Sequence, residues 1–271
     1  MNAQITIVTF KPEGIERIAA ANLPYIDNVE YLVSWQAHQD YPLPDAIARR
    51  DDFKVLRYNE TGVANNRNNA IEHSTADIIF LMDDDLVIYP EGVKKVIEFY
   101  EEHPDAEVLI HKAVTAVPKQ YPGRTCRIGL PLPKNYYFSM WEMSFRRRSA
   151  SAIRVCPKLG AGNPEYTCGD DTVLLLSVLK RGLKTFFLPA EVVAHLHKSA
   201  GVQDNVSPGN LRSMGLSIAL QFPATAVLRI PLKAWRTYRR QATPFFKALR
   251  HLTAGAVDAP RFIRENRDYL W

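Results

Sequence analysis

The chain has 271 residues, 46% of them hydrophobic and 23% charged. That is enough apolar material for one large α/β domain with an appendage, or for two small domains, and no repeat or low-complexity tract argues for a solenoid or a disordered chain. The net charge of +5 is concentrated in the C-terminal tail, where eleven Lys and Arg from Arg212 onward face only Asp258, Glu265 and Asp268.

Such a tail suits nucleic acid, an anionic membrane surface or a solvated face. No RRM, zinc-finger or helix-turn-helix signature accompanies it, so nucleic acid is not the expected partner. Cys126, Cys156 and Cys168 are odd in number and form no CxxC pair. Reduced thiols in a cytoplasmic protein are expected, rather than disulfides or a zinc site. MNAQITIVTF carries neither a basic region nor a long apolar one, so no signal peptide is expected.

Residues Gln4–Thr9 form a β-branched run that predicts a first strand, closed by a turn at Lys11-Pro12-Glu13-Gly14. A helix over Gly14–Asn22 follows, then strands at Glu30–Trp35 and Phe53–Tyr58, and a helix over Val63–Ser74. Ile78–Met82 reads as a strand, Pro90–His103 as a helix begun by proline, and Glu107–Ala116 as another strand. Pro118–Asn135 reads as an irregular loop, Tyr136–Arg146 and Ala152–Val155 as strands, and Thr172–Arg181 as an apolar helix. Lys184–Leu188 and Val192–His195 complete the strands. Alternation of this kind predicts a mostly parallel sheet with helices on both faces.

The chemistry concentrates where Ile78-Ile79-Phe80-Leu81-Met82 runs into Asp83-Asp84-Asp85. Three adjacent carboxylates are costly to bury together without a cation. Open α/β sheets bind ligands at the carboxyl ends of their strands. A hard divalent cation bridging nucleotide phosphates suits that place, and Mg²⁺ or Mn²⁺ suits oxygen ligands. An acidic surface turn is the plain alternative.

Three blocks, in this order, resemble the family 2 glycosyltransferases of GT-A fold. They are Gly62-Val63-Ala64-Asn65-Asn66-Arg67-Asn68-Asn69-Ala70-Ile71 ahead of Asp83 and Asp85; Trp141-Glu142-Met143-Ser144-Phe145-Arg146-Arg147; and Gly160-Ala161-Gly162 through Gly169-Asp170-Asp171, then Leu174-Leu175, Gly182, Pro189 and His195. The resemblance implies a three-layer GT-A sandwich over residues 1–206, with a basic helical extension over 207–271. It implies an inverting, metal-dependent transferase that moves a sugar from a nucleoside-diphosphate sugar, with UDP as the guess, to a glycan or lipid-linked acceptor in surface polysaccharide synthesis.

Residue by residue, the resemblance implies Asp85 as first metal ligand, Asp83 as the acid that contacts the ribose or the metal, with Asp84 able to take either role, and His195 near the diphosphate as a further metal ligand, for which His197 competes. Thr9 and Arg67 are placed like donor contacts, Asp171 like the general base, and Trp141, Glu142 and Asp170 like acceptor contacts. Asp170 stands where the family has Glu, which shortens its reach. Both acids could instead cap the helix they open. Trp35 could stack on a base or fill the core, and no acid stands at the end of its strand. A nucleotidyltransferase is the rival enzyme, although Thr9-Phe10-Lys11-Pro12-Glu13-Gly14 is a poor phosphate loop.

The tail segment Leu216–Trp235 is long and apolar but holds Gln221, Pro223, Arg229, Pro231 and Lys233. It reads as amphipathic or partly buried, with helices broken at Pro223, Pro231 and Pro244. Two fates are open: a helix lying in an anionic membrane interface, or a cap packed on the protein.

Overall fold

The computed structural model describes residues 1–132, 138–196 and 206–271. Four parallel strands form one half of the sheet: β1 (Ala3–Phe10), β2 (Val29–Gln36), β3 (Phe53–Tyr58) and β4 (Ile78–Asp83). They lie in the order β3-β2-β1-β4. The other half is mixed. Short β5 (Val87–Ile88) and long β6 (Val108–Thr115), β7 (Cys126–Ile128), β8 (Met143–Arg146) and β9 (Thr185–His195) complete it. β8 sits antiparallel between β4 and β6, β9 runs parallel to β6, and both β5 and β7 pair antiparallel with β9.

Strand alternation decides what each face carries. Ile5 and Ile7 of β1, Tyr31, Val33 and Trp35 of β2, and Ile78, Phe80 and Met82 of β4 belong to one buried apolar cluster. Helices α1 (Lys11–Ala20), with Ile15 and Ile18, and α4 (Pro90–Glu102), with Val93, Val96, Phe99 and Tyr100, cover it. A short helix α2 (Asp45–Ala48) adds Ile47. The opposite face carries Gln4, Thr6 and Ser34, all buried. It is covered by α3 (Val63–His73), whose buried side is itself polar: Asn69 donates to Ser34 Oγ at 2.7 Å, and Asn66 Nδ2 donates to the Thr9 carbonyl at 3.0 Å. Gln4 Oε1 accepts from Ser74 Oγ and from the Thr75 and Ala76 amides, fixing the exit from α3. An asparagine-rich helix can be buried because the sheet face beneath it offers matching groups.

The described chain forms two compact units, Met1–Ile153 with Val178–His197, and Arg154–Ser177 with Lys198–Trp271. Where the sequence draws one boundary at 206/207, the second unit thus also takes in residues 154–177. That unit holds the start of α5 (Asp170–Lys180), then α6 (Pro208–Gln221), α7 (Ala226–Arg239) and α8 (Phe245–Glu265). α6 and α8 cross in near contact. A Cβ on Gly215 would fall 1.9 Å from the Leu252 carbonyl oxygen, and one on Gly255 1.9 Å from that of Arg212.

Several element expectations need correction. Lys11–Gly14 is the first turn of α1 rather than a separate turn, because Pro12 is favourable at a helix start. Tyr136–Arg146 is not one strand: Met140–Glu142 is a 3-10 turn, and only Met143–Arg146 pairs. Residues 133–137 lie outside the described chain. Ala152–Val155 joins no ladder. The two short strands near residue 190 are one, β9, whose register against β6 shifts at His111, Lys112 and Ala113, opposite the segment containing Pro189. Pro231 lies inside α7 without ending it. The three cysteines are free thiols.

Candidate active site

The three carboxylates leave β4 in three directions. Asp83 points to the α3 face, where Arg67, itself buried, donates to its Oδ1 at 2.8 Å. Asp84 points to the α1 face, where Thr9 Oγ1 donates at 2.5 Å and Arg17 at 2.9 Å to the same oxygen. Gly14 makes room there: a Cβ would sit 2.0 Å from Thr9 Oγ1 and 2.9 Å from Asp84 Oδ2. Asp85 lies past the strand end, its Oδ2 3.2 Å from His195 Nε2. Side-chain exposures of 30% for Asp83, 13% for Asp84 and 39% for Asp85 make Asp85 the most accessible.

Burial pushes the Asp84 carboxyl above its ordinary value, against the hydrogen bonds from Thr9 and Arg17. Asp84 and Thr9, both expected as donor contacts, turn inward here and hydrogen-bond to each other, joining β1, β4 and α1. The alternation of a strand was the available signal for this split. Arg17, which the sequence reading missed, lies three residues beyond Gly14 on the same helix.

His195, at the end of β9, stacks on Trp141 with ring centroids 5.6 Å apart and planes 14° apart. Lys119 Nζ lies 4.5 Å over the same indole. Trp141 is thus half-buried, against a ring and an ammonium group. Glu142 is fully buried. Its carboxylate accepts from the Ser139 amide at 2.7 Å, from Lys119 at 2.8 Å and from the Tyr121 hydroxyl. Burial raises its pKa, opposed by Lys119 and Tyr121. Glu142, expected as an acceptor contact, has its carboxylate engaged by these internal partners. It closes a capping box with Ser139, legible as Ser139-Met140-Trp141-Glu142, and its cation is Lys119.

Asp170 and Asp171 open α5 in the second unit, half-buried. Gly160, at φ +100°, brings its backbone against the Asp170 carboxylate, where a Cβ would sit 3.1 Å from Asp170 Cγ. Gly169, at φ +94°, supplies the carbonyl that the Val173 amide reaches at 3.0 Å. The glycines of this block therefore serve a left-handed turn and a close approach. His197 lies outside the described residues. Trp35 is in the core, its indole N–H donating to the Lys11 carbonyl at 2.8 Å.

Two buried polar atoms toward the carboxyl end of the sheet have no partner among the described residues: Gln36 Nε2, where β2 ends, and Asn66 Oδ1 on α3, whose Nδ2 reaches the Thr9 carbonyl. A hollow of about 410 Å³ lies at the other ends of the strands, lined by Asn2, Glu30, Asp52 and Thr75 among others. Ligands of open α/β sheets sit at the carboxyl ends, so the site is assigned by its chemistry and not by that hollow.

As donors for a divalent ion, Asp85 and His195 present one carboxylate and one imidazole in mutual contact. No group of three or more His, Cys, Asp or Glu among the described residues forms a closed metal cage. The pair suits an ion that takes its remaining ligands from phosphate and water, the usual habit of Mg²⁺.

Residues 30–155 match the family model described as Glycosyl transferase family 2. Curated proteins gave no match. Among solved structures, TarS 1-349 from S. aureus in complex with UDP-GlcNAc superposes with a TM-score of 0.63 at 14% identity, covering 97% of this chain and 92% of that one. Its complex with UDP gives 0.59 at 16% identity, over 99% and 80%. The mannosyltransferase PcManGT from Pyrobaculum calidifontis, in complex with GDP-Man and Mn2+, gives 0.50 at 14%, over 96% and 87%. At these identities the superpositions show the fold, and the GT-A expectation is met. Residues 30–155, a little under half of the chain, are thus similar to glycosyl transferase family 2, and that match together with the fold supports a glycosyltransferase.

Proposed function

We propose that the chain is a metal-dependent, inverting transferase that moves a sugar from a nucleoside-diphosphate sugar to a hydroxyl of a glycan or lipid-linked acceptor in surface polysaccharide synthesis. The observation that carries the reading is the division of labour among three adjacent carboxylates. Asp84 is spent on the fold and Asp83 is held by Arg67, which leaves Asp85 accessible beside His195.

In this reading Asp85 and His195 hold Mn²⁺ or Mg²⁺, with Asp83 next to them. A bound divalent ion supplies charge stabilisation to the departing diphosphate. Arg67 holds Asp83 in place and brings a positive charge to the donor side. Gln36 and Asn66, each with a buried atom lacking a partner, supply one donor and one acceptor toward the nucleoside. Asp171 takes the proton from the acceptor hydroxyl, and single displacement at the anomeric carbon inverts it. Trp141 offers an aromatic face to a sugar ring, and Asp170 a second carboxylate. UDP remains the first nucleotide to try. It is the nucleotide in the TarS complexes, while PcManGT is in complex with GDP-Man.

The test is to incubate the enzyme with a panel of sugar nucleotides, glycan and lipid-linked acceptors and Mn²⁺, and to follow the phosphate product. Release of nucleoside diphosphate with formation of an inverted glycoside is expected. Release of pyrophosphate from a sugar phosphate and a nucleoside triphosphate would replace this reading with a nucleotidyltransferase.

A further inference from the structure

We propose that α7 lies along an anionic lipid bilayer with one apolar face in the boundary between headgroups and acyl chains. At 3.6 residues per turn the helix has three faces. Ile230, Ala234 and Thr237 are buried and hold it to the rest of its unit. Val227, Leu228, Leu232, Trp235 and Tyr238 form an arc that is exposed throughout, with Val227 at 75% and Leu228 at 73%. Arg229, Lys233 and Arg236 fall on the third flank, Arg240 caps the helix end, and Arg239 lies on the arc over the Trp235 ring. Phe246, near the start of α8, adds another ring at 81% exposure.

An apolar arc facing water costs free energy, and contiguous patches of this kind mark interaction surfaces. Charge decides the occupant. Residues 207–257 contain eight Lys and Arg and no Asp or Glu. Arg229 rests over the Phe222 ring and Arg239 over that of Trp235. Among the described residues none of Arg229, Arg236, Arg239 and Arg240 has a carboxylate partner. Burial, with Arg240 and Arg236 nearby, presses the Lys233 ammonium below its ordinary value, so this flank lacks a counter-charge. A second copy of the chain would cover the apolar arc but bring cations against cations. A polyanion without an apolar surface would satisfy the cations and leave the arc wet. A bilayer containing acidic lipids satisfies both. No single helix among the described residues is long and apolar enough to cross a membrane; α6 and the following helical segment pass for length and composition only as a pair bent by 114°, and the exposed arc along one side of α7 suits a helix lying flat.

The experiment is flotation of the full chain with vesicles of phosphatidylcholine alone and of phosphatidylcholine mixed with phosphatidylglycerol, at low and high salt. Binding to the mixed vesicles that weakens with salt is expected. The variant Leu228→Ser/Trp235→Ser changes only exposed side chains, and its fold is checked by thermal unfolding. It should bind at least about tenfold more weakly. Arg236→Gln/Arg240→Gln should lose about fivefold per charge. Absence of vesicle binding, or binding unchanged in Leu228→Ser/Trp235→Ser, would overturn the proposal. So would vesicle-free dimerisation of the wild type that this double variant abolishes, which would give the face to a second copy.

Discussion

His195 Nε2 lies 3.2 Å from Asp85 Oδ2, across 110 residues of chain. Two ladders create that contact. β9 runs parallel to β6 as far as Thr115 opposite His195. β5 begins two residues after Asp85 and pairs with the same end of β9, with Val87 opposite Ala194. A two-residue strand thus clamps the carboxylate turn to the histidine. His195→Gln should keep the fold and weaken Mn²⁺-dependent nucleotide binding by at least about tenfold. Calorimetric titration of nucleoside diphosphate with and without Mn²⁺ checks this.

Asp171→Asn should leave donor affinity near that of the wild type. Transfer should fall by about 10² to 10⁴, the range expected when a positioned general base is lost. Single-turnover transfer measured beside equilibrium donor binding separates the two effects. Near wild-type transfer would remove Asp171 from the mechanism.

His111 gives a pH prediction. It is fully buried on β6, neither ring nitrogen has a partner among the described residues, and burial pushes its pKa down to about 3. The folded state therefore holds it neutral, while the unfolded chain binds a proton near the ordinary value of about 6.5. Its contribution to stability is intact above about pH 6.5 and is lost as pH falls from there toward about 3. His111→Leu should be more acid-tolerant: relative to wild type, its urea midpoint should rise between about pH 7.5 and about pH 5.

Gly255→Ala tests the crossing of α6 and α8. An added methyl would meet the Arg212 carbonyl, which is backbone and cannot swing aside. The helices must separate, at a cost of about 1–3 kcal/mol, despite the higher helix propensity of alanine. Gly182→Ala, where the same construction meets nothing within 4 Å but φ is +80°, should cost less. Chemical denaturation of both variants makes the comparison.

Much of the sheet was legible because buried strands read as β-branched or continuous apolar runs. Phe53–Tyr58 matches the observed strand at both ends, and Ile78–Met82 differs by one residue. β5 and β7 were not legible. Two or three residues carry no period, and only their partner β9 defines them. Pro231 was read as a break because proline removes one helical hydrogen bond, yet packing by Ile230, Ala234 and Thr237 carries α7 through it. In the site, the acidic run was legible as a cluster at a strand end, but the roles given to its members did not use strand alternation, which sends Asp83 and Asp84 to opposite faces. Lys119 had no local signal, since it lies in a loop and meets Glu142 only through the fold.

The most direct test of the account is a thermal-shift comparison of wild type and Asp85→Asn with nucleoside diphosphates and sugar nucleotides, with and without Mn²⁺. A ligand that binds the native state raises its melting temperature by mass action. The account predicts a Mn²⁺-dependent rise with one nucleotide series in the wild type, absent in Asp85→Asn although that variant melts normally without ligand. A rise of equal size in both proteins, or none with any nucleotide on the folded wild type, would contradict it.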